Sequence, residues 1–557
     1  MSTSIASRIS DTARTVRALA AARILSLRRP DRLLRMGVAV RRAGMTATAG
    51  FAAAAATCPN RPGVIDDKGI LTWRELHQRS DALAAALQNT LRTLPQTEPQ
   101  TAHTSKTIAL LCRNHRGFIE AMIAADRCGA DALLLNTSFA APAMADVIQR
   151  EHVDAVVYDD EFSDIVSAAL RSAPQVHKIR AWTDPGSGHG VTVEDLIAIH
   201  RGKRPQRPSR QGMTILLTSG TTGTPKGARR TARGGAHELT GILETIPWRA
   251  EETTVIVAPM FHAWGYAQLL FSAWMACTIV TTRKFGAEAT LRMIESTRAS
   301  GLCAVPVMLE RIVDLPTDVV NRYHTESLRF AAISGSRMQP RAVTAFMDRF
   351  GDVIYNHYNA TEAGMIAIAT PTDLRAAPDT AGTAAAGSEL RILDETDQPL
   401  GPGQIGQIFT RSSTHFDGYT TGAEKRFHDG FMATGDLGYL DEAGRLFVVG
   451  RDDEMIVSGG ENVYPIEVEN RLLAHPAIAE VAVIGVDDDH YGQRLLAYAV
   501  LRTGESPSPE ALKQYVRDGL ASFKVPREIL IVDHLPRTGT GKVARSALKA
   551  QTGEAER

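Results

Sequence analysis

The sequence predicts an α/β protein in two parts, a large N-terminal part built on several sheets and a small α+β C-terminal part. Three observations carry this. Apolar strand-like runs alternate with helix-like runs through the middle of the 557 residues, as in a mostly parallel sheet. The strands are near-continuous apolar runs, which implies sheets buried on both faces. After Arg451 the pattern restarts on a smaller scale, and a chain of this length exceeds what one core serves. The expected boundaries are therefore 1–50, 51–450 and 451–557.

Residues 1–50 carry ten arginines before position 45 (8, 14, 17, 23, 28, 29, 32, 35, 41 and 42) against two aspartates, 11 and 31. Val16, Leu19, Ile24, Leu25, Leu27, Leu33 and Leu34 lie between them, giving short amphipathic helices broken at Pro30. Two readings stand: helices packed on the body of the protein, or a basic patch that holds a membrane surface. The segment lacks an apolar stretch of about 18 residues, so it is no membrane span. It has a transit peptide's composition but lacks the apolar core of a secretory signal.

Next come strands at Thr107–Cys112, Ala132–Leu135 and Val153–Tyr158, separated by helices at Gly117–Cys128 and Ala143–Glu151. Polar stretches at 94–106 and 202–211 read as exposed loops, the second basic. The small part begins with a helix at Pro465–Leu473 and strands at Glu480–Val486 and Leu495–Leu501. A helix at Pro509–Leu520 and a strand at Glu528–Val532 follow. Lysine plus arginine equal aspartate plus glutamate at 62 each, which argues against a nucleic-acid partner. Cysteines 58, 112, 128, 277 and 303 have neither disulfide-framework nor metal-ligand spacing, so reduced thiols are expected and no zinc or iron site is implied.

The densest chemical signal is Thr218-Ser219-Gly220-Thr221-Thr222-Gly223-Thr224-Pro225-Lys226-Gly227, directly after an apolar strand at Met213–Leu217. Glycines let a backbone approach an anion, hydroxyls and successive N–H groups donate to it, and Lys226 adds a mobile charge. This is a phosphate loop but not the Walker A pattern, because Pro225 precedes the lysine and Gly227 follows it. A second cluster, Tyr358-Asn359-Ala360-Thr361-Glu362-Ala363-Gly364, follows a strand at Val353–Asn356. It offers an aromatic face for a purine and a carboxylate for Mg²⁺; a plain helix N-cap is the alternative. Further on stand Thr434-Gly435-Asp436, Gly450-Arg451-Asp452-Asp453-Glu454, Ser458-Gly459-Gly460-Glu461 and Pro536-Arg537-Thr538-Gly539-Thr540-Gly541-Lys542.

In this order and spacing, over residues 50 to 550, the motifs resemble those of the adenylate-forming acyl-CoA synthetases, the superfamily that also holds firefly luciferase and the adenylation domains of peptide synthetases. The resemblance implies a large adenylation domain, a small mobile C-terminal domain, and ATP, Mg²⁺ and coenzyme A as cofactor and co-substrates. Thr218, Ser219, Gly220, Thr221, Thr222, Gly223 and Lys226 would grip the β and γ phosphates, with Thr221 and Glu362 holding Mg²⁺. Asn356, His357 and Tyr358, with Gly335 and Ser336, would frame adenine, and Asn359 and Thr361 belong to the same nucleotide segment. Asp436 would accept the ribose hydroxyls and Arg451 would brace the nucleotide. Lys542 would bridge the attacking carboxylate and the α-phosphate. Asp453 matches the hinge position, flanked here by an unusually acidic Asp452 and Glu454. After rotation Gly459 and Gly460 would line the pantetheine path.

Substrate class rests on the segment Pro259 to Tyr266, which resembles the aromatic-plus-histidine segment beside the acyl group in CoA ligases, with His262 as a gate. An amino-acid-activating domain usually places an aspartate here, and none occurs. Ala267, Leu269, Leu270, Phe271 and Trp274, with Met338, Met365 and Ile366, would line an apolar tunnel, or else are ordinary core. The general look is that of actinobacterial fatty-acid CoA ligases, so the expected substrate is a medium to long fatty acid. A fatty acyl-AMP ligase serving a carrier protein, an aryl-CoA ligase and a non-catalytic scaffold are the alternatives. The expected location is cytoplasmic, with peripheral attachment at the inner membrane surface as the variant that the arginine-rich front end suggests.

Overall fold

The computed structural model describes residues 5–24, 30–44, 46–92, 106–184, 186, 190–218, 226–230, 236–412, 415–422, 424–458, 461–488 and 492–555. They form a mixed α/β fold that divides into two compact units. The larger comprises Met1–Pro378, Ala385–Ser388 and Ser412–Glu424; the smaller comprises Asp379–Ala384, Glu389–Arg411 and Lys425–Arg557. The smaller packing unit takes in, besides residues after 450, the antiparallel sheet in which Phe431–Leu440 pairs with Gly406–Ser412 on one side and Leu446–Arg451 on the other. The strands from Ile456 onward form a separate sheet.

Two sheets organise the larger unit. In the first, Ile354–Ala360, Phe330–Ser334, Gly301–Ala304, Thr253–Ile256, Thr278–Val280 and Pro62–Asp66 run parallel in that spatial order. Gly364–Ala369 and Gly69–Thr72 flank them antiparallel. In the second, Thr214–Thr218, Asp131–Leu134, Thr107–Leu111, Val153–Asp159 and His177–Trp182 are parallel, while Lys226–Arg230 turns back along Thr214–Thr218. Thr107–Leu111, Gly301–Ala304 and Phe330–Ser334 are buried at every residue, as sheets covered by helices on both faces require. The helix Arg116–Cys128 starts on His115 and ends on Gly129 at φ 79°, a left-handed cap that glycine adopts without strain. Arg116 also holds the buried Asp66 through Nε at 3.0 Å.

The front end forms helices Ile5–Ala21 and Pro30–Ala43, with Pro30 as the first residue of the second, where its missing N–H costs nothing. Ala18 and Ala22 are buried and Leu19 and Ile24 pack on the same core. Arg14 donates to Glu244 at 2.8 Å and Arg32 to Glu251 at 2.5 Å. The amphipathic character is therefore largely used in packing on the larger unit. Val16, Leu34 and Val38 stay exposed, and no helix among the described residues is long and apolar enough to cross a membrane. Leu25 and Leu27, like most of the expected loop at 94–106, lie outside the described residues.

In the smaller unit Ile478–Asp488 and Gly492–Leu501 form a long antiparallel pair, with Glu528–Ile531 added parallel to the second strand. The helices Pro465–Leu473 and Pro509–Arg517 contribute Val468, Leu472, Leu512 and Val516 to the core beneath it.

Candidate active site

In the larger unit the site grows from the ends of neighbouring strands. Thr214–Thr218 and Lys226–Arg230 are antiparallel, with Thr218 opposite Lys226. The phosphate-loop sequence is thus flanked by a hairpin that fixes both of its ends. Ser219, Gly220, Thr221, Thr222 and Gly223 lie outside the described residues. Gly227 is glycine because of close approach rather than a left-handed backbone: a Cβ there would stand 2.7 Å from Thr420 Oγ1 and 2.9 Å from Ile215 Cγ2.

The second cluster is a β-hairpin, which removes the helix-cap alternative. Ile354–Ala360 pairs antiparallel with Gly364–Ala369, Ala360 standing opposite Gly364, so Thr361, Glu362 and Ala363 form the turn. The strand runs four residues beyond the expected Asn356 and carries Asn356, His357, Tyr358 and Asn359 itself. Glu362 accepts a 2.5 Å hydrogen bond from the Tyr419 hydroxyl through Oε1, and its backbone carbonyl accepts the Phe416 N–H at 2.8 Å. Its Oε2 accepts nothing among the described residues, which suits a carboxylate that holds a hydrated divalent cation. Lys226 Nζ lies 5.5 Å from the Tyr419 ring centre, and Gly418–Tyr419 pairs with Arg229 and Ala228. Tyr419 therefore joins the phosphate-loop lysine to the acid of the second cluster. Sequence reasoning missed it; the signal was an isolated Gly-Tyr shortly before Thr434-Gly435-Asp436.

Gly335 has φ 110° and leads from the buried strand Phe330–Ser334 to an exposed Ser336. Asn359 Nδ2 donates to Ser334 Oγ at 3.2 Å, which ties this turn to the Tyr358 segment. His357, opposite Ser334, is buried against Trp264 with ring centres 4.7 Å apart. Neither ring nitrogen has a hydrogen-bond partner among the described residues, and burial pushes its pKa down to about 3, so the ring is neutral. His262 is half-buried and is the N-cap residue of the helix Ala263–Trp274, without a side-chain cap bond. Gly265 lets this helix start against Pro259, whose carbonyl a Cβ would meet at 2.2 Å.

The helix does not present a row of residues to a tunnel. Leu269 is fully buried in the main core, Leu270 and Phe271 pack on it, and Phe271 meets Trp248 edge-on at 5.0 Å. Trp274 closes over Gly50, where a Cβ would stand 3.0 Å from its indole, and Ala267 is exposed. Met338 belongs to the second core. The ordinary-core alternative describes Leu269, Leu270, Phe271 and Met338, whereas Ala267 and Trp274 are exposed.

The smaller unit gathers the remaining motif residues on strand ends and turns. Asp436 and Arg451 stand opposite each other on paired strands, with Nη1 of the arginine 3.4 Å from Oδ1 of the acid. Lys542 is exposed on a tight turn in which Thr538 N–H donates to the Lys542 carbonyl at 2.7 Å. Arg537 braces the turn, donating to the Gly541 carbonyl and to Glu480 at 2.7 Å each. Asp453 lies in the short helix Asp452–Glu454. Ile456–Ser458 pairs with Glu461–Val463, Ser458 opposite Glu461; Gly459 and Gly460, between these strands, lie outside the described residues.

One grouping was invisible in the cysteine spacing. Cys112, His115 and Asp159 are buried with ligand atoms within 4.8 Å of one another. The protein already uses the ring: His115 Nδ1 accepts the Gly117 N–H at 3.0 Å and Nε2 meets Asp159 at 2.7 Å. Asp159 also accepts the Arg113 N–H. The trio is a helix cap with a buried carboxylate behind it.

The AMP-binding enzyme model matches residues 51–420, and the AMP-binding enzyme C-terminal domain model matches residues 467–542. An indoleacetate–CoA ligase of Aromatoleum aromaticum is 31% identical over 80% of this chain and 88% of its own. A fatty acid–[acyl-carrier-protein] ligase of Streptomyces coeruleorubidus is 28% identical over 88% of this chain and 93% of its own. Among solved structures, o-succinylbenzoate CoA synthetase from Bacillus subtilis with its acyl-adenylate intermediate superposes with a TM-score of 0.74 at 26% identity, over 90% of this chain and 97% of the other.

Proposed function

The chain belongs to the AMP-binding enzyme family, and from that premise we propose that it is an ATP-dependent acid–CoA ligase acting on a compact, ring-bearing carboxylic acid through an acyl-adenylate. ATP, Mg²⁺ and coenzyme A are the standard requirements of adenylate-forming CoA ligases. The observation that carries the catalytic reading is Glu362 in its turn, one oxygen held by Tyr419 and the other open, beside the lysine of the phosphate hairpin. Bound Mg²⁺ would neutralise phosphate charge there, with Thr221 and Glu362 as its protein ligands.

The reaction has two displacements. The substrate carboxylate attacks the α-phosphorus of ATP and pyrophosphate leaves; the CoA thiol then attacks the mixed anhydride and AMP leaves. Both steps spread charge, so the protein's part is to position and neutralise. Residues 218–227 hold the outgoing phosphates, Tyr358 with the Gly335 and Ser336 turn frames the base, and Asp436 and Arg451 hold the ribose. Lys542 offers its ammonium to the attacking carboxylate and the α-phosphate. Rotation about Asp453 would then exchange Lys542 for the Gly459 and Gly460 segment at the thiol path.

For the acid itself, Leu269, Leu270, Phe271 and Met338 of the expected tunnel lining are engaged in core packing, which supports a short pocket beside the aromatic pair Trp264 and His357. The medium to long fatty acid favoured by the front end and the apolar run is the second reading, supported by the fatty-acid relative from Streptomyces. Pyrophosphate release measured with benzoate, cinnamate and indoleacetate against octanoate to palmitate, with and without CoA, tests both. Ring acids should release pyrophosphate and form a thioester only with CoA. Turnover confined to laurate and longer acids would reverse the order, and thioester formation only on a carrier protein would mark an acyl-AMP ligase.

A further inference from the structure

A cavity of about 1520 Å³ opens in the larger unit at the edge where the parallel strands of the second sheet begin. Gln211 lines it, three residues before Thr214–Thr218 starts, whereas the phosphate-loop sequence follows that strand's last residue. Five residues of strand span roughly 16 Å, so the cavity and the phosphate loop lie at opposite ends of the same sheet.

Its walls are unevenly charged. Among the carboxylates Asp81 is paired with Arg127 at 2.8 Å, while Glu75 and Asp126 accept from the neutral Thr72 and Thr48. Arg79 is likewise held, by Glu120 and Glu194. Arg74, Arg201, Lys203 and Arg207 line the same space, all exposed and with no ion-pair partner among the described residues. Arg204 adds a fifth cation, its side chain 83% exposed and 3.9 Å from Asp81. Cations thus outnumber carboxylates on this lining, and a concave surface with an excess of one sign concentrates field and draws counter-ions.

The basic loop is also held in place. Gln206 exchanges two hydrogen bonds with Gln88, at 2.8 and 2.7 Å, and accepts a third from Arg92 at 2.6 Å. Arg210 is anchored on Asp131 by two more, at 2.9 and 3.2 Å. Lys203, Arg204 and Arg207 are thus carried by a segment tied to the helix Trp73–Arg92 and to the strand Asp131–Leu134. A scaffold fixed in this way lowers the ordering cost of binding.

We propose that this cavity binds a ligand bearing several phosphate groups, at a site separate from the nucleotide site. The chemistry is shared by a soluble polyphosphorylated molecule and a polyphosphorylated lipid headgroup. The test compares the protein with the Arg201→Ala, Lys203→Ala, Arg207→Ala triple variant, using inositol hexakisphosphate in calorimetry and vesicles of phosphatidylinositol bisphosphate with phosphatidylcholine in sedimentation. Pure phosphatidylcholine vesicles are the control. One probe should bind and lose affinity by roughly tenfold in the variant, the sum expected of three exposed ion pairs, and weaken with added salt. Pyrophosphate release from ATP and acid should be unchanged, which also shows that the variant folds. Binding of the soluble probe alone identifies a free ligand, and binding of the anionic vesicles alone identifies a lipid. Absence of binding to either probe, or equal binding by the variant, overturns the proposal.

Discussion

The motif residues of the larger unit are braced by side-chain contacts with one another, whereas in the smaller unit Lys542 stands exposed on a turn and Arg451, beside Asp436, is partly open to solvent. Glu362 is held by Tyr419, Tyr419 lies beside Lys226, and His357 is buried on Trp264. Lys542 is exposed on a turn braced by backbone hydrogen bonds, the Thr538 and Thr540 hydroxyls and Arg537, and the Arg451 side chain is 42% exposed. The first arrangement suits groups that must be in place before substrate arrives. The second suits groups that serve by being brought to a substrate and taken away. Substitutions should therefore separate activity from stability in the smaller unit and couple them in the larger.

The largest effect is expected at Lys542. Lys542→Ala removes the charge that the proposed mechanism sets against the α-phosphorus, and one such contact is commonly worth on the order of 3 kcal/mol, or about a hundredfold in rate. Pyrophosphate release should fall by that amount, while the melting temperature and CoA transfer from supplied acyl-adenylate should not change. Gly459→Leu should do the converse, leaving pyrophosphate release near normal and stopping thioester formation. Equal damage to both half-reactions by both variants would break the contrast, because it would place Lys542 and Gly459 in one shared site.

Tyr419→Phe asks whether bracing matters on the other side of the comparison. It deletes one hydrogen bond to a carboxylate, typically about 2 kcal/mol, so adenylation should fall roughly thirtyfold and require more Mg²⁺ for half-maximal rate. A raised KM for the acid with no change in Mg²⁺ dependence would show that Tyr419 acts on something other than Glu362.

The two arrangements also differ in how far the sequence revealed them. The motifs are local strings, and buried parallel strands were legible because they are uninterrupted apolar runs. Thr107–Leu111 illustrates this. Braces between distant residues were not legible, since Tyr419 and Glu362 are 57 positions apart and only a hairpin edge brings them together. The apolar run after His262 carried the signature of both a core helix and a lined tunnel; burial on helix Ala49–Thr57 and on Trp248 decided it.

The smallest effect expected is a stability effect, and it tests the burial of His357 directly. Burial holds this imidazole at about 3, against about 6.5 for the unfolded chain. Between those values the unfolded state binds a proton that the folded state refuses, so stability rises with pH there and is lost as pH falls from about 6.5 toward 3. One such group contributes a slope of about 1.4 kcal/mol per pH unit. His77, pushed down to about 4 by burial and then by the Arg127 charge, acts in the same direction, so the wild-type slope reports at least these two. His357→Gln keeps a polar side chain of similar size but cannot titrate. Urea unfolding at several pH values between 6 and 4 should show its slope reduced by about one proton's worth, whereas Lys542→Ala should leave the slope as it is. An unchanged slope for His357→Gln would mean that the ring reaches water or a protonating partner in the native protein, and the larger unit would then be less rigidly preassembled around Trp264 than the contrast with the smaller unit requires.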